Sequence, residues 1–406
     1  MPEAVIVSTA RSPIGRAFKG SLKDVRPDDL TAVIVRAALD KVPGLEARDI
    51  DDLMLGCGLP GGEQGHNLAR VVAVQLGYDF LPGTTVTRYC SSSLQTTRMA
   101  AHAIRAGEGD AFISAGVEMV SRFIKGNSDS LPDTMNPIFA EAQARTAGLS
   151  EGGHDSWHDP REDGQLPDIY LAMGQTAENL ARLKGVSRQE MDEFAARSQN
   201  NAEKAIANGF FEAEISPVQL PDGTTMTKDA GPRAGVTVEG MAGLKPVFRP
   251  DGLITAGNAC PLNDGASAVI VMSDSKAAEL GIIPLARIVS TAVTGLSPEI
   301  MGYGPVEATR LALKRAGKTV DDIDLFEINE AFAAQVIPSY QDLDIPLDKL
   351  NVHGGAIALG HPFGSTGARI TGTLINGLQS LDKQWGVETM CVGGGMGMAM
   401  VLERLS

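Results

Sequence analysis

Short apolar runs alternate along the chain with longer segments whose apolar residues recur at helical spacing. Residues 4–8 form a mainly apolar run, which is typical of a buried strand, and residues 28–39 carry the three- and four-residue spacing of a helix. Residues 49–55 predict an acidic turn that enters a second strand. This order of strand, helix and strand indicates an α/β architecture.

The second half of the chain repeats the pattern of the first. Residues 307–316 predict a helix, residues 321–328 again predict an acidic turn entering a strand, and each half has a late strand that ends in glycine, at 111–116 and 390–397. Two copies of one α/β unit explain this order. We expect an N-terminal half at 1–119 and 262–284, an inserted block at 120–261 and a C-terminal half at 285–406, with the strand-end loops around one central site.

Composition and charge narrow the class of protein. The chain has 406 residues, 43% of them hydrophobic, and a net charge of −15, which argues against a basic nucleic-acid-binding surface. No apolar stretch is long enough to predict a membrane span. Four cysteines lie far apart without a C-x-x-C motif, which favours neither a disulfide framework nor a zinc site (Cys57, Cys90, Cys260 and Cys391). We expect a protein of the reducing cytosol.

Two weaker patterns have other interpretations. Residues 56–61 read G-x-G-x-x-G, with Asp79 about 20 residues further on, as in a dinucleotide-binding unit. Pro60 delays the next helix to about Asn67, so a glycine-rich loop is the favoured interpretation. His154 and His158 are four residues apart among aspartates, but no third ligand is indicated, so we expect a loop rather than a metal site.

Cys90 and His361 are the strongest candidates for chemistry. Cys90 follows a β-branched run and precedes three serines and a helical pattern, so it lies at a helix N-terminus, where the helix dipole favours the thiolate. A small buried cysteine at a strand end fits that context equally well. His361 lies among glycines and before Pro362, on a tight turn where an imidazole serves as an acid or base.

Four residues at predicted strand ends and turns provide the chemical groups that an acyl-transfer site needs. Cys90 is the candidate nucleophile, His361 its base, Cys391 a second thiol for proton transfer and Asn329 an amide. The backbone N–H groups of residues 393–395 are candidates for an oxyanion hole, because glycine allows close approach to the backbone. Spacing alone does not show that these groups converge.

These motifs in combination resemble those of the thiolase family, acetyl-CoA C-acyltransferases that act on 3-oxoacyl-CoA. The likeness extends over nearly the whole chain and is carried by four motifs: CSSSLQ at 90–95, NEAF at 329–332, GGAIALGHP at 354–362 and CVGGGMG at 391–397. It implies the thiolase fold, a layered α-β-α-β-α core of two similar halves, with an inserted loop domain that covers coenzyme A.

The resemblance also implies the role of each residue. Cys90 would carry the acyl group as a thioester, and His361 would activate it. Cys391 would exchange the proton on the acetyl carbon. Asn329 would hold a water that, with His361, stabilises the enolate. The N–H groups of Cys90 and Gly393 would hold the oxyanion. The implied reaction is thiolytic cleavage of 3-oxoacyl-CoA by a ping-pong mechanism, without a permanent cofactor or metal and with coenzyme A as a substrate.

The resemblance also implies substrate-binding residues, and three nearby positions depart from the family pattern. Met173 and Phe332 would line the acyl and pantetheine pocket. Cys260 replaces a serine that often bonds pantetheine in the family. Ala172 replaces a histidine of acetoacetyl-specific members, which would widen the acyl pocket. His353 replaces a usual asparagine and could alter hydrogen bonding beside the site.

Several alternatives remain open at this stage. An acetoacetyl-CoA-forming acetyltransferase, a related 3-oxoacyl synthase and a non-catalytic scaffold subunit share the fold. The two cysteine motifs together with NEAF favour the thiolase. We expect a degradative role in fatty-acid or related acyl-CoA catabolism. We also expect a homodimer or homotetramer, and a hydratase or dehydrogenase partner subunit would suit that role.

Overall fold

The computed structural model describes residues 2–129, 133–152 and 156–406. The strands in these ranges are β1 Ala4–Arg11, β2 Gly15–Arg16, β3 Asp52–Cys57, β4 Gly83–Val86, β5 Ala111–Met119, β6 Val218–Gln219, β7 Thr225–Met226, β8 Asn263–Ser273, β9 Ala286–Gly295, β10 Leu325–Ile328, β11 Trp385–Val392 and β12 Met396–Arg404. The α-helices are α1 Pro27–Leu39, α2 Leu68–Gln75, α3 Ser92–Ala106, α4 Ala140–Ser150, α5 Met173–Lys184, α6 Arg188–Ala207, α7 Val238–Ala242, α8 Asp274–Glu279, α9 Gly304–Ala316, α10 Ala333–Asp342, α11 Ala356–Leu359 and α12 Thr366–Ser380.

The long strands form one mixed sheet in the order β10-β11-β12-β9-β1-β8-β5-β3-β4. Both halves use the same arrangement. β1 pairs antiparallel with β8, β8 antiparallel with β5, and β5 parallel with β3. β9 pairs in the same way with β12, β12 with β11, and β11 with β10. The predicted repeat is therefore present, and β1 and β9 join the two copies.

Alternating side chains place each half of the sheet between two helical layers. Val5 and Val7 of β1 pack with α1 and α2, whereas Ile6 packs with α3 and α12. In the other half, Val401 of β12 packs with α9 and α10, and Met400 faces α3 and α12. The predicted α-β-α-β-α layering is confirmed, with α3 and α12 as the central layer.

The two central helices meet closely because of a glycine. A Cβ atom added to Gly367 of α12 would lie 2.3 Å from the backbone nitrogen of Leu94 in α3. This contact brings the start of α12 beside the start of α3. The turn before each helix carries one of the two strongest candidates for chemistry.

The chain between β5 and β8 forms α4–α7 and a two-stranded sheet of β6 and β7. Buried ion pairs tie this block to the core, because Arg11 of β1 bonds Glu214 at 2.7 Å and Asp229 at 2.8 Å. The division of the chain at residues 119/120, 261/262 and 284/285 remains a prediction.

Some elements differ from the predicted pattern. The charged segment 173–208, whose sequence favours helix, forms two helices, because Gly185 adopts a left-handed conformation and Ser187 starts α6 with a capping box. α4 was not predicted because it buries only Ala142 and so lacks a strong apolar stripe. Among the described residues, no helix has the length and hydropathy needed to cross a bilayer.

Candidate active site

Cys90 lies in a tight turn that leads into α3. β4 ends at Val86, earlier than predicted, and residues 89–91 form a single 3-10 turn. Tyr89 has a positive φ of 43°, an uncommon conformation for a bulky residue and one concentrated at functional sites. The side chain of Cys90 is buried, and the backbone N–H of Gly393 donates to its sulfur.

Burial decides the protonation of Cys90. Loss of hydration raises the pKa of the Cys90 thiol to about 12, although the N–H groups of Gly393 and of Cys90 itself lower it. The expectation that the helix N-terminus favours the resting thiolate is therefore wrong. The two backbone donors are instead placed where negative charge would develop.

Serine is a favoured N-cap residue, but the serines after Cys90 do not cap α3 through their side chains. Ser91 occupies the N-cap position without a side-chain capping hydrogen bond. The hydroxyl of Ser93 accepts a hydrogen bond from the backbone N–H of Ala368 at 2.9 Å. The serine thus joins the two central helices.

His361 is fully enclosed and bonded at both ring nitrogens. Its Nε2 lies 3.3 Å from Nδ2 of Asn329, and its Nδ1 lies 2.6 Å from the hydroxyl of Thr366. Its backbone N–H donates to Asn263 at 2.9 Å. Burial, followed by the positive charge of Arg369, lowers the pKa of His361 to about 3, so the resting ring is neutral.

A buried carboxylate holds the turn that carries His361. Glu118, near the end of β5, accepts from the N–H groups of Gly364 at 2.9 Å, Gly58 at 2.7 Å and Leu59 at 3.2 Å. The amide of Gln64 donates to it at 2.9 Å. Burial raises the pKa of Glu118, and these four donors oppose that shift.

Cys391 and Asn329 come from neighbouring strands of the C-terminal half. Cys391 lies near the end of β11 and is fully buried, while Asn329 directly follows β10 and bonds Thr389 of β11 through its backbone N–H at 3.0 Å. Burial, followed by the negative charges that Cys90 and Cys260 would carry, raises the pKa of Cys391. Cys391 therefore rests as a thiol within electrostatic reach of Cys90.

An apolar cavity of about 330 Å³ opens onto Cys90. Met173 and Ala172, singled out from the sequence, both line it, as do Gly393 and residues that the sequence did not mark (Leu59, Tyr89, Ile169, Tyr170, Leu171 and Phe363). Its wall is mainly hydrophobic. The cavity can hold an acyl chain whose first carbons reach the sulfur of Cys90.

A second cavity of about 470 Å³ is more polar and lies beside Cys260. Arg16 and Arg233 contribute positive charge to its lining, and Phe248 contributes an aromatic wall. Phe332 does not line it directly but packs edge-on against Phe248, with ring centroids 6.1 Å apart. This cavity suits a long anionic group such as the nucleotide part of coenzyme A.

The weaker sequence patterns have structural explanations where they can be seen. α2 begins only at Leu68, so the glycine motif at 56–61 does not open a helix as a dinucleotide site requires. His154 lies outside the described residues, and the described part of the chain contains no cluster of three metal-binding side chains.

The ring of His353 stacks on Phe210, with centroids 3.6 Å apart, rather than on the candidate catalytic groups.

Sequence reasoning missed the groups that hold the site together. Glu118 lies in an apolar strand, Thr366 begins a helix, and Asn263 begins a strand, so each looks like an ordinary polar residue. Thr366 follows His361 by five residues, and a hydroxyl so close to a turn histidine is the one local signal that could have identified it.

Two protein-family models match this chain. The family model described as "Thiolase, N-terminal domain" matches residues 4–275, and that described as "Thiolase, C-terminal domain" matches residues 282–404. The chain belongs to the thiolase family. Both matched thiolase regions contain members of the site, with Cys90 in the first and Asn329, His361 and Cys391 in the second.

Named thiolases cover the full length of the chain. The "3-ketoacyl-CoA thiolase" of Bacillus subtilis is 44% identical, over 99% of this chain and 100% of the relative. That of Serratia proteamaculans is 42% identical over 100% of both.

Solved thiolase structures share the fold. The Bacillus anthracis acetyl-CoA acetyltransferase has a TM-score of 0.86 at 38% identity and covers 100% of this chain and 99% of its own. The dimeric peroxisomal thiolase of Saccharomyces cerevisiae has a TM-score of 0.88 at 35% identity, over 99% and 97%.

Proposed function

We propose that this protein cleaves 3-oxoacyl-CoA with coenzyme A, giving acetyl-CoA and a shortened acyl-CoA, through an acyl group carried on Cys90. The observation that supports this most strongly is the placement of the Cys90 sulfur. It lies under the N–H of Gly393 and at the wall of an apolar cavity. A second thiol, a neutral imidazole and an amide complete the set.

The first half-reaction transfers the acyl group to the enzyme. His361 takes the proton of Cys90, and the thiolate attacks the 3-oxo carbonyl carbon, while the N–H groups of Cys90 and Gly393 stabilise the oxyanion. The bond between C2 and C3 breaks, and its electron pair forms the enolate of acetyl-CoA. Cys391 donates its proton to that carbon. Asn329 holds a water that, together with His361, stabilises the enolate oxygen.

The second half-reaction restores both cysteines. The Cys391 thiolate accepts the proton of the incoming coenzyme A thiol, and the resulting thiolate attacks the thioester on Cys90. Cys90 leaves as a thiolate and recovers its proton from the imidazolium of His361. Every proton is returned, so the cycle requires no permanent cofactor.

The two cavities divide the substrate between them. The acyl chain occupies the apolar cavity beside Met173, and Ala172 leaves room there for chains longer than acetoacetyl. Coenzyme A occupies the cavity beside Cys260, where Arg16 and Arg233 attract its phosphates and Phe332 supports the wall through Phe248. This placement suits a degradative enzyme of acyl-CoA catabolism.

Turnover of a 3-oxoacyl-CoA series, from acetoacetyl to long chains, tests the proposal. We expect cleavage to peak beyond acetoacetyl-CoA. A Cys90→Ala variant should show no cleavage and no acyl group by intact-protein mass spectrometry. A Cys391→Ala variant should still acquire acyl from a simple acyl-CoA, although more slowly, because Cys90, His361 and the oxyanion donors remain. Its cleavage of 3-oxoacyl-CoA should be lost, because Cys391 protonates the departing carbon. Acyl-enzyme formation by Cys90→Ala would refute the assignment of the nucleophile.

Activity confined to acetoacetyl-CoA would instead favour an acetyl-CoA acetyltransferase, the activity in the name of the Bacillus anthracis structure. It would also refute the argument that Ala172 leaves room for longer acyl chains. Absence of acyl-enzyme with every substrate would favour a scaffold subunit.

The assembly and setting of the enzyme are further parts of the proposal. A dimer is supported by the dimeric yeast thiolase of the same fold, and a tetramer is its alternative. The unpaired cysteines favour the reducing cytosol. A hydratase or dehydrogenase subunit would supply the substrate. Light scattering of the purified protein distinguishes two copies from four.

A further inference from the structure

We propose that Thr366 is a positioning residue that holds the proton of neutral His361 on Nδ1 and so keeps Nε2 unprotonated and able to act as the base. This inference rests on the proposed role of His361. It concerns the tautomer of one ring, a property that can be measured without turnover.

Three atoms define the hydrogen-bond chain. Nδ1 of His361 lies 2.6 Å from the hydroxyl of Thr366, and that hydroxyl donates to the carbonyl of Pro362 at 2.9 Å. A hydroxyl has a single proton to donate. When this proton is used on the Pro362 carbonyl, the threonine oxygen can only accept from the ring, so Nδ1 must carry the hydrogen.

The contact at Nε2 is consistent with donation from Nδ1 to the Thr366 hydroxyl. Nδ2 of Asn329 lies 3.3 Å from Nε2, and an amide nitrogen can only donate. Nε2 then presents its lone pair. The sequence of donors runs in one direction, from Asn329 through the imidazole and Thr366 to the backbone.

The opposite direction has a definite chemical consequence. The Pro362 carbonyl also accepts from the N–H groups of Ser365 and Thr366 at 3.0 Å, so the hydroxyl could turn and donate to Nδ1 instead. Nε2 would then carry the proton and, with Asn329 reversed, donate to its oxygen. Such a ring cannot take a proton at Nε2. The two directions therefore differ in chemistry as well as in hydrogen placement.

The fold explains why Thr366 can do this. Thr366 is the first residue of α12 and is fully buried, and its hydroxyl bonds back to Pro362 across the 3-10 turn that precedes the helix. The threonine thus connects the ring to the rigid central helix. An orienting partner on the far nitrogen of a catalytic histidine fixes both its tautomer and its direction.

Histidine 15N NMR of the resting enzyme tests the assignment directly, because protonated and unprotonated ring nitrogens resonate far apart. We expect His361 to show protonated Nδ1 and unprotonated Nε2, with the His361→Asn variant identifying its signals. Thr366→Val, which keeps the shape but removes the hydroxyl, should shift the ring toward the other tautomer. Thr366→Ser should retain the original one.

Steady-state kinetics provide a second test of the role of Thr366. Thr366→Val should lower kcat by about 10- to 100-fold, a part of the roughly 100- to 10,000-fold that a positioned base contributes. KM should change little, and Thr366→Ser should recover most of kcat. Thr31→Val is a matched control, since Thr31 is a buried helical threonine that also bonds a prolyl carbonyl, at 2.7 Å, but lies in α1.

The outcomes separate the two proposals. Protonated Nε2 in the resting enzyme would overturn the role of Thr366 whatever the activity. So would a Thr366→Val enzyme whose tautomer and kcat match those of the Thr31→Val control. If the enzyme shows the expected tautomer but forms no acyl-Cys90, the role of Thr366 is supported and the proposed reaction is overturned.

Discussion

At the scale of single residues, the main result is that the candidate nucleophile and its base both rest uncharged. Burial raises the pKa of Cys90 to about 12 and lowers that of His361 to about 3. An ion pair preformed in this enclosed site would carry a large desolvation cost. The charges therefore arise during acyl transfer, where the N–H groups of Cys90 and Gly393 can stabilise the new negative charge.

This arrangement predicts an unusual pH profile for acyl transfer. Neither group changes its charge between about pH 5 and about pH 8, so the single-turnover rate of acyl-enzyme formation should be flat over that range. Rapid-quench mass spectrometry of acylated Cys90 measures this rate.

A His361→Asn variant is the informative control. Without the base, the rate should be lower and should increase about tenfold per pH unit, following the thiolate fraction of Cys90. A bell-shaped profile in the parent enzyme, with pKa values near about 6.5 and about 8.5, would contradict the neutral resting pair.

At the scale of elements, glycines let β5 and the turn that follows His361 approach within van der Waals contact. A Cβ atom on Gly116 of β5 would lie 2.2 Å from the carbonyl oxygen of Gly364, in the turn that follows His361. One on Gly364 would lie 2.3 Å from the oxygen of Val117. The His361 turn can therefore pack directly on β5 and bond Glu118.

Replacing Gly116 with alanine tests this packing. The added methyl group must push the His361 turn away, which should lower the free energy of unfolding by about 1–3 kcal/mol and reduce kcat. Urea denaturation and steady-state kinetics measure the two effects. Gly243→Ala is the matched control, because a Cβ atom there meets nothing within 4 Å. Equal stability of the two variants would contradict the packing argument.

The sequence predicts those site residues whose type and immediate neighbours are distinctive. Cys90, His361 and Cys391 lie beside glycines or at a helix start, and these contexts identified them as candidate catalytic residues. Their protonation was not predictable, because it depends on burial by segments hundreds of residues away. Glu118 and Thr366 act through hydrogen bonds with the His361 turn, and hydrophobic periodicity carries no information about such contacts.

At the scale of the whole molecule, the C-terminal half contains a buried cluster of charged residues. Glu327 of β10 and Glu388 of β11 lie directly opposite each other in the sheet, and both are buried. Arg369 of α12 is buried with them, and its charge lowers both pKa values. Burial outweighs that effect and raises the pKa of each glutamate to about 8.

The cluster predicts how stability depends on pH. Between about pH 4.5 and about pH 8, the folded protein retains carboxyl protons that the unfolded chain has lost, so the free energy of unfolding should fall as pH rises. Each group contributes a slope of up to about 1.4 kcal/mol per pH unit. Glu388→Gln should flatten the dependence measured by urea denaturation. Parallel curves for the variant and the parent would contradict this account.

The nucleophile and its proton-handling partners come from different halves of the chain, and this has a consequence for biosynthesis. Cys90 emerges from the ribosome early, whereas His361 and Cys391 follow only after most of the chain has been made. At roughly 5–20 residues per second, the delay is on the order of tens of seconds. Throughout that interval the nascent polypeptide carries an ordinary thiol, so thioester chemistry can begin only when translation of the C-terminal half is nearly complete.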